Sequence, residues 1–283
     1  MNARKLGFGL QYAVRTVLLR QNRPLLLAVV ITDRCNLDCF YCRGSNAGKI
    51  HCSRVTIRDI LTQAYERGHR APYFTGGEPM LWESDGWNMG DVVQYARELG
   101  FFDVFIFTNG TVPLNVPGCR YIVTVDGPRE VHNRIRQGTW DVVMENVGDA
   151  PPGTVSASIT LTTENAEYFE QYVPEISALG IFSGIAFNFL TASPKEMAEK
   201  GLLGEQRARM LDTIWNLKAQ GIRSEYRRRA TRYYGPTPGN APSGRWNWLR
   251  TKRSSPAAVR VSNRECASTA ATPSVPKSLR CCL

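Results

Sequence analysis

A chain of 283 residues with 43% hydrophobic content can bury one large core or two modest ones, and its composition is that of a soluble globular protein. The formal charge of +10 points to a nucleic-acid partner only until it is located: residues 224–283 hold twelve Lys and Arg against two Asp and Glu, leaving 23 of each sign in residues 1–223. The body is neutral, so no polyanion-binding surface is expected on the core.

The N-terminus has no apolar run followed by a small-residue cleavage site, so the eight cysteines do not read as a secreted disulfide framework, and a reducing cytoplasm is expected. The longest apolar run, residues 25–31, is far short of the roughly 18–20 residues that span a bilayer.

Leu6, Leu10, Val14, Val17 and Leu18 fall near helical spacing, which predicts a helix over residues 6–20 packed on the body. Its basic flanks leave a second reading, a helix lying on a membrane surface. Residues 25–31 form a continuous apolar run, as expected of a strand covered on both faces. Directly after it comes Cys35-Asn36-Leu37-Asp38-Cys39-Phe40-Tyr41-Cys42, three thiols in eight residues. Thiolates are soft ligands suited to iron-sulfur clusters. Three ligands for four irons leave one iron open, and an open position marks a catalytic site.

The same order then repeats. A helix over 56–67 precedes a strand at 72–75 that ends in Gly76-Gly77-Glu78-Pro79. A helix over 91–99 precedes a strand at 103–107 and the turn Thr108-Asn109-Gly110. A strand at 121–125 ends in Asp126-Gly127-Pro128, and 139–147 is helical. A strand at 155–161, a helix over 166–179, a strand at 184–190 and a helix over 197–221 complete the pattern. Strands alternating with helices predict βαβ units and a parallel sheet, open or curled into a barrel, with the polar motifs gathered at strand C-terminal ends. From about Arg227 the chain has no Asp and no lasting periodicity, which predicts a poorly structured basic tail. The change is abrupt enough to suggest an end read out of frame, with a genuine basic arm as the rival reading.

Cys35, Cys39 and Cys42 in a CxxxCxxC arrangement, followed by Gly76-Gly77-Glu78-Pro79, resemble the radical S-adenosylmethionine (radical SAM) superfamily over about residues 25–190. The motif style resembles most the molybdenum-cofactor and peptide-modifying branch. The resemblance implies an α/β fold, a partial (βα)6 barrel of parallel strands. The divisions expected are an N-terminal helical segment at 1–24, a core at 25–223 and a tail at 224–283. It implies a 4Fe-4S cluster held by Cys35, Cys39 and Cys42, with S-adenosylmethionine chelating the open iron. Reductive cleavage of that cofactor would yield a radical that abstracts hydrogen from a peptide, protein, lipid or cofactor precursor. An external electron donor such as flavodoxin or ferredoxin is implied as well.

Residue by residue, the resemblance assigns Gly76, Gly77 and Glu78 to the methionyl end of the cofactor. Glu78 offers an acceptor to its amino group. Tyr41 matches an aromatic position whose backbone meets the adenine. Asn109 and Asp126 match segments facing the cofactor, with Asp126 suited to the ribose hydroxyls. Arg136 suits the cofactor carboxylate as a planar fork. His51, Cys52 and Cys119 read as a loop residue and two core thiols, and Cys266, Cys281 and Cys282 match no auxiliary-cluster spacing. The reading from another class is a non-catalytic iron-sulfur protein with a sensing or structural role.

Overall fold

β-Branched and aromatic residues supply six strands: β1 (Leu26–Thr32), β2 (Ala71–Gly76), β3 (Phe105–Thr108), β4 (Arg120–Thr124), β5 (Val155–Leu161) and β6 (Ile185–Phe189). The computed structural model describes residues 24–42, 46–190 and 199–222, with single positions 7, 10, 12, 14, 18 and 19 before them. The strands form one sheet in sequential order, and every neighbouring pair is parallel. Among the described residues β1 and β6 do not pair with each other, so the α/β sheet is a partial barrel.

The helices are α1 (Arg54–Glu66), α2 (Met89–Leu99), α3 (Arg129–Ile135), α4 (Trp140–Asp149), α5 (Phe169–Ala178) and α6 (Gly204–Ala219). Each buries residues three or four apart against the sheet: Ile57, Leu61 and Ala64 in α1, Val143 and Val147 in α4, Met210, Ile214 and Leu217 in α6. Side-chain caps fix two of the starts. The Ser53 hydroxyl accepts the Thr56 amide at 3.2 Å, and Asn88 and Asp91 form a reciprocal capping box at the head of α2.

The period of two along the strands separates core from site. Phe74, Ile106, Val123 and Ile159, at most 1% exposed, point into the layer beneath the helices. Their strand neighbours Thr75, Phe107, Thr124 and Thr160 turn to the other face and line a cavity of about 280 Å3. A register shift between Val30 and Thr32 precedes the last pair of the β1 ladder, Thr32 with Gly76, just before the cysteine loop departs.

Some expectations shift. The helix expected from residue 56 begins at Arg54 and that from 91 at Met89, because their polar caps lie upstream of the first apolar residue. The stretch from Arg129, not assigned to a helix from its sequence, forms the short α3. A 3-10 turn (Ala166–Tyr168) opens what was expected as one helix over 166–179. The helix expected from 197 is interrupted before Gly204. At the N-terminus, positions 7, 10 and 12 are helical, but Leu10 and Leu18 are about 70% exposed and Val14 is exposed too, so these three do not pack on the body. Residues 223–283, with Cys266, Cys281, Cys282 and all of the expected tail, lie outside the described residues.

Candidate active site

The cysteine loop is fastened at almost every residue. Behind it, the Asp33 carboxylate accepts the amides of Lys49 (2.6 Å) and Ile50 (3.0 Å), closing the returning chain against β1. The Cys35 amide donates to Asn46 Oδ1 at 2.9 Å, and the Asn36 amide group donates to Thr111 Oγ1 at 2.8 Å. Asn109 Nδ2 donates to Asn36 Oδ1 at 2.9 Å and lies 3.8 Å from Cys35 Sγ. The Asp38 amide donates to Gln137 Oε1 at 2.9 Å, and Gln137 holds a left-handed φ of 58°, unusual for a residue with a side chain.

The β2 end presses on this loop from the other side. The Gly77 amide donates to the Thr32 carbonyl and the Glu78 amide to the Arg34 carbonyl, each at 2.8 Å. A Cβ on Gly76 would stand 2.0 Å from the Thr32 oxygen, and one on Gly77 would stand 2.2 Å from the Arg34 oxygen. Gly76 also has a φ of 140°. Only glycine permits this approach of two backbones.

Cys35, Cys39 and Cys42 share the cavity wall with Leu37, Tyr41, Gly76, Gly77, Asn109 and Arg136. Its volume is near the lower end of the roughly 300–1,000 Å3 of small-molecule sites. Burial pushes the Cys39 thiol up to about 11, against the opposing pull of the Arg136 charge, and burial raises Cys35 as well. No group of three His, Cys, Asp or Glu among the described residues is arranged for a single metal ion. Three thiols spread along one wall suit a larger soft centre such as a cluster.

Two acids stand behind the wall, both fully buried. Asp126 accepts from Arg136 Nε at 2.7 Å and from the Tyr41 hydroxyl at 2.6 Å on one oxygen, and from the Thr160 amide at 2.8 Å on the other. Arg136 Nη2 donates to the Tyr41 hydroxyl. Burial disfavours the Arg136 charge, but Asp126 beside it more than offsets this and holds the guanidinium protonated. Arg136 lines the cavity, and its Nη1 meets no acceptor among the described residues. Glu78 accepts the amides of Asn109 (2.6 Å) and Met80 (3.0 Å), and burial raises its pKa despite them.

The structure thus brings the three cysteines, Tyr41, Gly76, Gly77, Asn109 and Arg136 to one cavity, and sets Glu78 and Asp126 one layer back. His51 is taken by Thr32 Oγ1 and the Glu83 carbonyl, and Cys52 and Cys119 are buried with their thiols on the Val30 and Val116 carbonyls. Sequence reasoning missed Asp33, Asn36, Gln137 and the wall threonines Thr75, Thr124 and Thr160. The threonines carried a signal, since each stands at or next to the C-terminal end of a strand, the rim that gathers active sites.

A profile of the Radical SAM superfamily matches residues 29–176, just over half of the chain, so the chain belongs to this superfamily. Its cofactors are those of the superfamily, a 4Fe-4S cluster and S-adenosylmethionine, and the chemistry needs an electron donor and a substrate. Over 96 residues the chain is 31% identical to a probable GTP 3',8-cyclase of Methanothermobacter thermautotrophicus, a match covering 33% of this chain and 30% of the relative. The chain spans about a third or less of the first curated relatives it matches. Among solved structures it resembles Streptococcus suis SuiB bound to precursor peptide SuiA. The TM-score there is 0.59 at 12% identity, over 82% of this chain and 56% of that one. It also resembles native anSMEcpe with bound AdoMet, with a TM-score of 0.57 at 17% identity, over 76% and 68% of the two chains. At such identities the likeness is one of fold. No helix among the described residues is long and apolar enough to cross a membrane.

Proposed function

We propose that this chain cleaves S-adenosylmethionine reductively and abstracts hydrogen from an organic substrate, with Cys35, Cys39 and Cys42 as the cluster ligands. The observation that carries this reading is the placement of three thiols and a buried, partly unsatisfied guanidinium around one cavity at the C-terminal rim of a parallel sheet. When bound, the cluster supplies a strongly reducing electron and the sulfonium cofactor supplies the carbon radical made from it.

The residues divide the remaining work. Arg136 receives the cofactor carboxylate with its free Nη1, and Asp126 holds the guanidinium in place from behind. Gly76 and Gly77 bring backbone to the cavity without side chains in the way. Glu78 contributes a negative charge just behind Gly77, favouring the cationic amino group in front of it. Asn109 and Tyr41 complete the wall. Leu37 and Phe107 give it an apolar stretch that excludes water, which a reactive radical requires. A flavodoxin or ferredoxin is the donor expected, and a reducing cytoplasm suits thiols that must stay unoxidised. The peptide-bound fold relative and the nucleotide cyclase keep both a peptide and a cofactor precursor open as substrates.

Anaerobic reconstitution followed by assay for 5'-deoxyadenosine tests the activity. A loaded, reduced protein that makes none would refute it in favour of a non-catalytic iron-sulfur role. Cys39→Ala is expected to abolish cluster uptake, measured as bound iron and sulfide, and full uptake in that variant would remove Cys39 from the ligand set.

A further inference from the structure

Lys200, beyond β6, reaches back to the cysteine loop. Its Nζ donates to the Phe40 carbonyl at 2.5 Å and stands 5.0 Å from the centroid of the Phe40 ring. Phe40 lies between Cys39 and Cys42. The Lys200 carbonyl in turn accepts the Thr163 amide at 2.9 Å, in the turn after β5. Asn165 in that turn accepts the Thr162 amide at 2.9 Å and donates to the Asp126 carbonyl at 2.7 Å. Asp126 then accepts the Tyr41 hydroxyl. Residues 40 and 41 are therefore gripped by one continuous circuit, with Lys200 at one end and Asp126 at the other.

Among the described residues no carboxylate lies within ion-pair distance of Lys200, whereas Arg136, another cation near the loop, is paired with Asp126. The sheet needs no such contact to form, since Lys200 lies outside every strand. What the contact does is place a fixed positive charge against the peptide that joins two thiols.

We infer that Lys200 is a positioning residue for the cluster loop whose charge raises the reduction potential of the centre held by Cys35, Cys39 and Cys42. The inference rests on the reading of those cysteines as cluster ligands. One electron passes from an external low-potential donor to the oxidised cluster. No bond forms or breaks, the donor loses the electron, and the centre becomes more negative by one charge. A nearby cation stabilises that added charge and so favours the reduced form.

The test uses the full chain, reconstituted anaerobically as wild type, Lys200→Gln, Lys200→Met and Lys200→Arg. Iron and sulfide are counted, and the midpoint is read by redox titration followed by electron paramagnetic resonance without S-adenosylmethionine. Gln keeps a donor for the Phe40 carbonyl but removes the charge, Met removes both, and Arg keeps the charge. In Lys200→Gln and Lys200→Met the reduction equilibrium is expected to fall by about tenfold, about 59 mV toward negative potential for one electron, while Lys200→Arg stays near wild type. A wild-type midpoint in either charge-free variant, whatever its cluster content, overturns the inference. An equal displacement in Lys200→Arg overturns it too, because geometry and not charge would then be the cause. A wild-type chain that takes up no cluster would overturn the ligand reading itself, and this inference with it.

Discussion

Asp126 shows how a single residue can matter to a site without lining it. The carboxylate is fully buried against an Arg136 side chain that is only 8% exposed. Removing it leaves a guanidinium uncompensated in the interior. Asp126→Ala is expected to cost about 3–5 kcal/mol of stability, read from urea unfolding, and to weaken S-adenosylmethionine binding by freeing Arg136 and Tyr41. Asp126→Asn keeps a shape but loses the charge, and a variant as stable as wild type would show that the ion pair is not the support described above. In the sequence, Asp126 was legible as a polar residue at a strand end. That its oxygens would face Arg136, Tyr41 and the Thr160 amide was not, because those partners come from three other parts of the chain.

At the scale of elements, the site depends on how closely the end of β2 lies on the loop that leaves β1. Gly77→Ala would drive a methyl to 2.2 Å from the Arg34 oxygen, two residues from the Asn36–Thr111 and Asn36–Asn109 contacts. Backbone on both sides has little room to yield, so a cost of roughly 1–3 kcal/mol is expected together with impaired cluster uptake. Unchanged iron content and an unchanged unfolding midpoint would mean the two segments separate freely. The glycines were legible in the sequence as a motif for close approach. The structure assigns that approach first to protein backbone, with the cavity on the far side. Helix starts were less legible, since Ser53 and Asn88 act as caps only once the chain bends into them.

For the whole molecule, two buried neutral histidines make global stability depend on pH. His132 Nε2 lies 3.2 Å from Thr139 Oγ1, whose own proton goes to the Arg136 carbonyl. Nε2 therefore carries the ring proton, and Nδ1 is left buried without a partner among the described residues. Burial, with the Arg136 charge, lowers the His132 pKa from 6.5 to about 4, and burial lowers that of His69 as well. Between those values the unfolded chain binds a proton that the folded one refuses, so stability rises with pH. It is complete above about 6.5 and is lost as pH falls toward 4, with a contribution from His132 on the order of 3 kcal/mol. Urea midpoints across this range should fall with pH, and His132→Phe should flatten the slope. An unaltered slope in that variant would exclude His132 as a source.

The sequence by itself determined the superfamily and the partial barrel and singled out the three cysteines proposed as cluster ligands, because those rest on local spacing: thiols in one loop, glycines at one strand end, and apolar residues at periods that specify strand or helix. Only the tertiary structure decided which groups stand at the cavity and which stand behind it. Glu78 and Asp126 moved back a layer, while Thr75, Thr124, Thr160 and Lys200 came forward to the cavity wall or the loop. The physical reason is that a buried charge must find its partners wherever the fold supplies them, and in a sheet of sequential parallel strands those partners lie at widely different distances along the chain, 10 residues from Asp126 to Arg136 and 160 from Phe40 to Lys200.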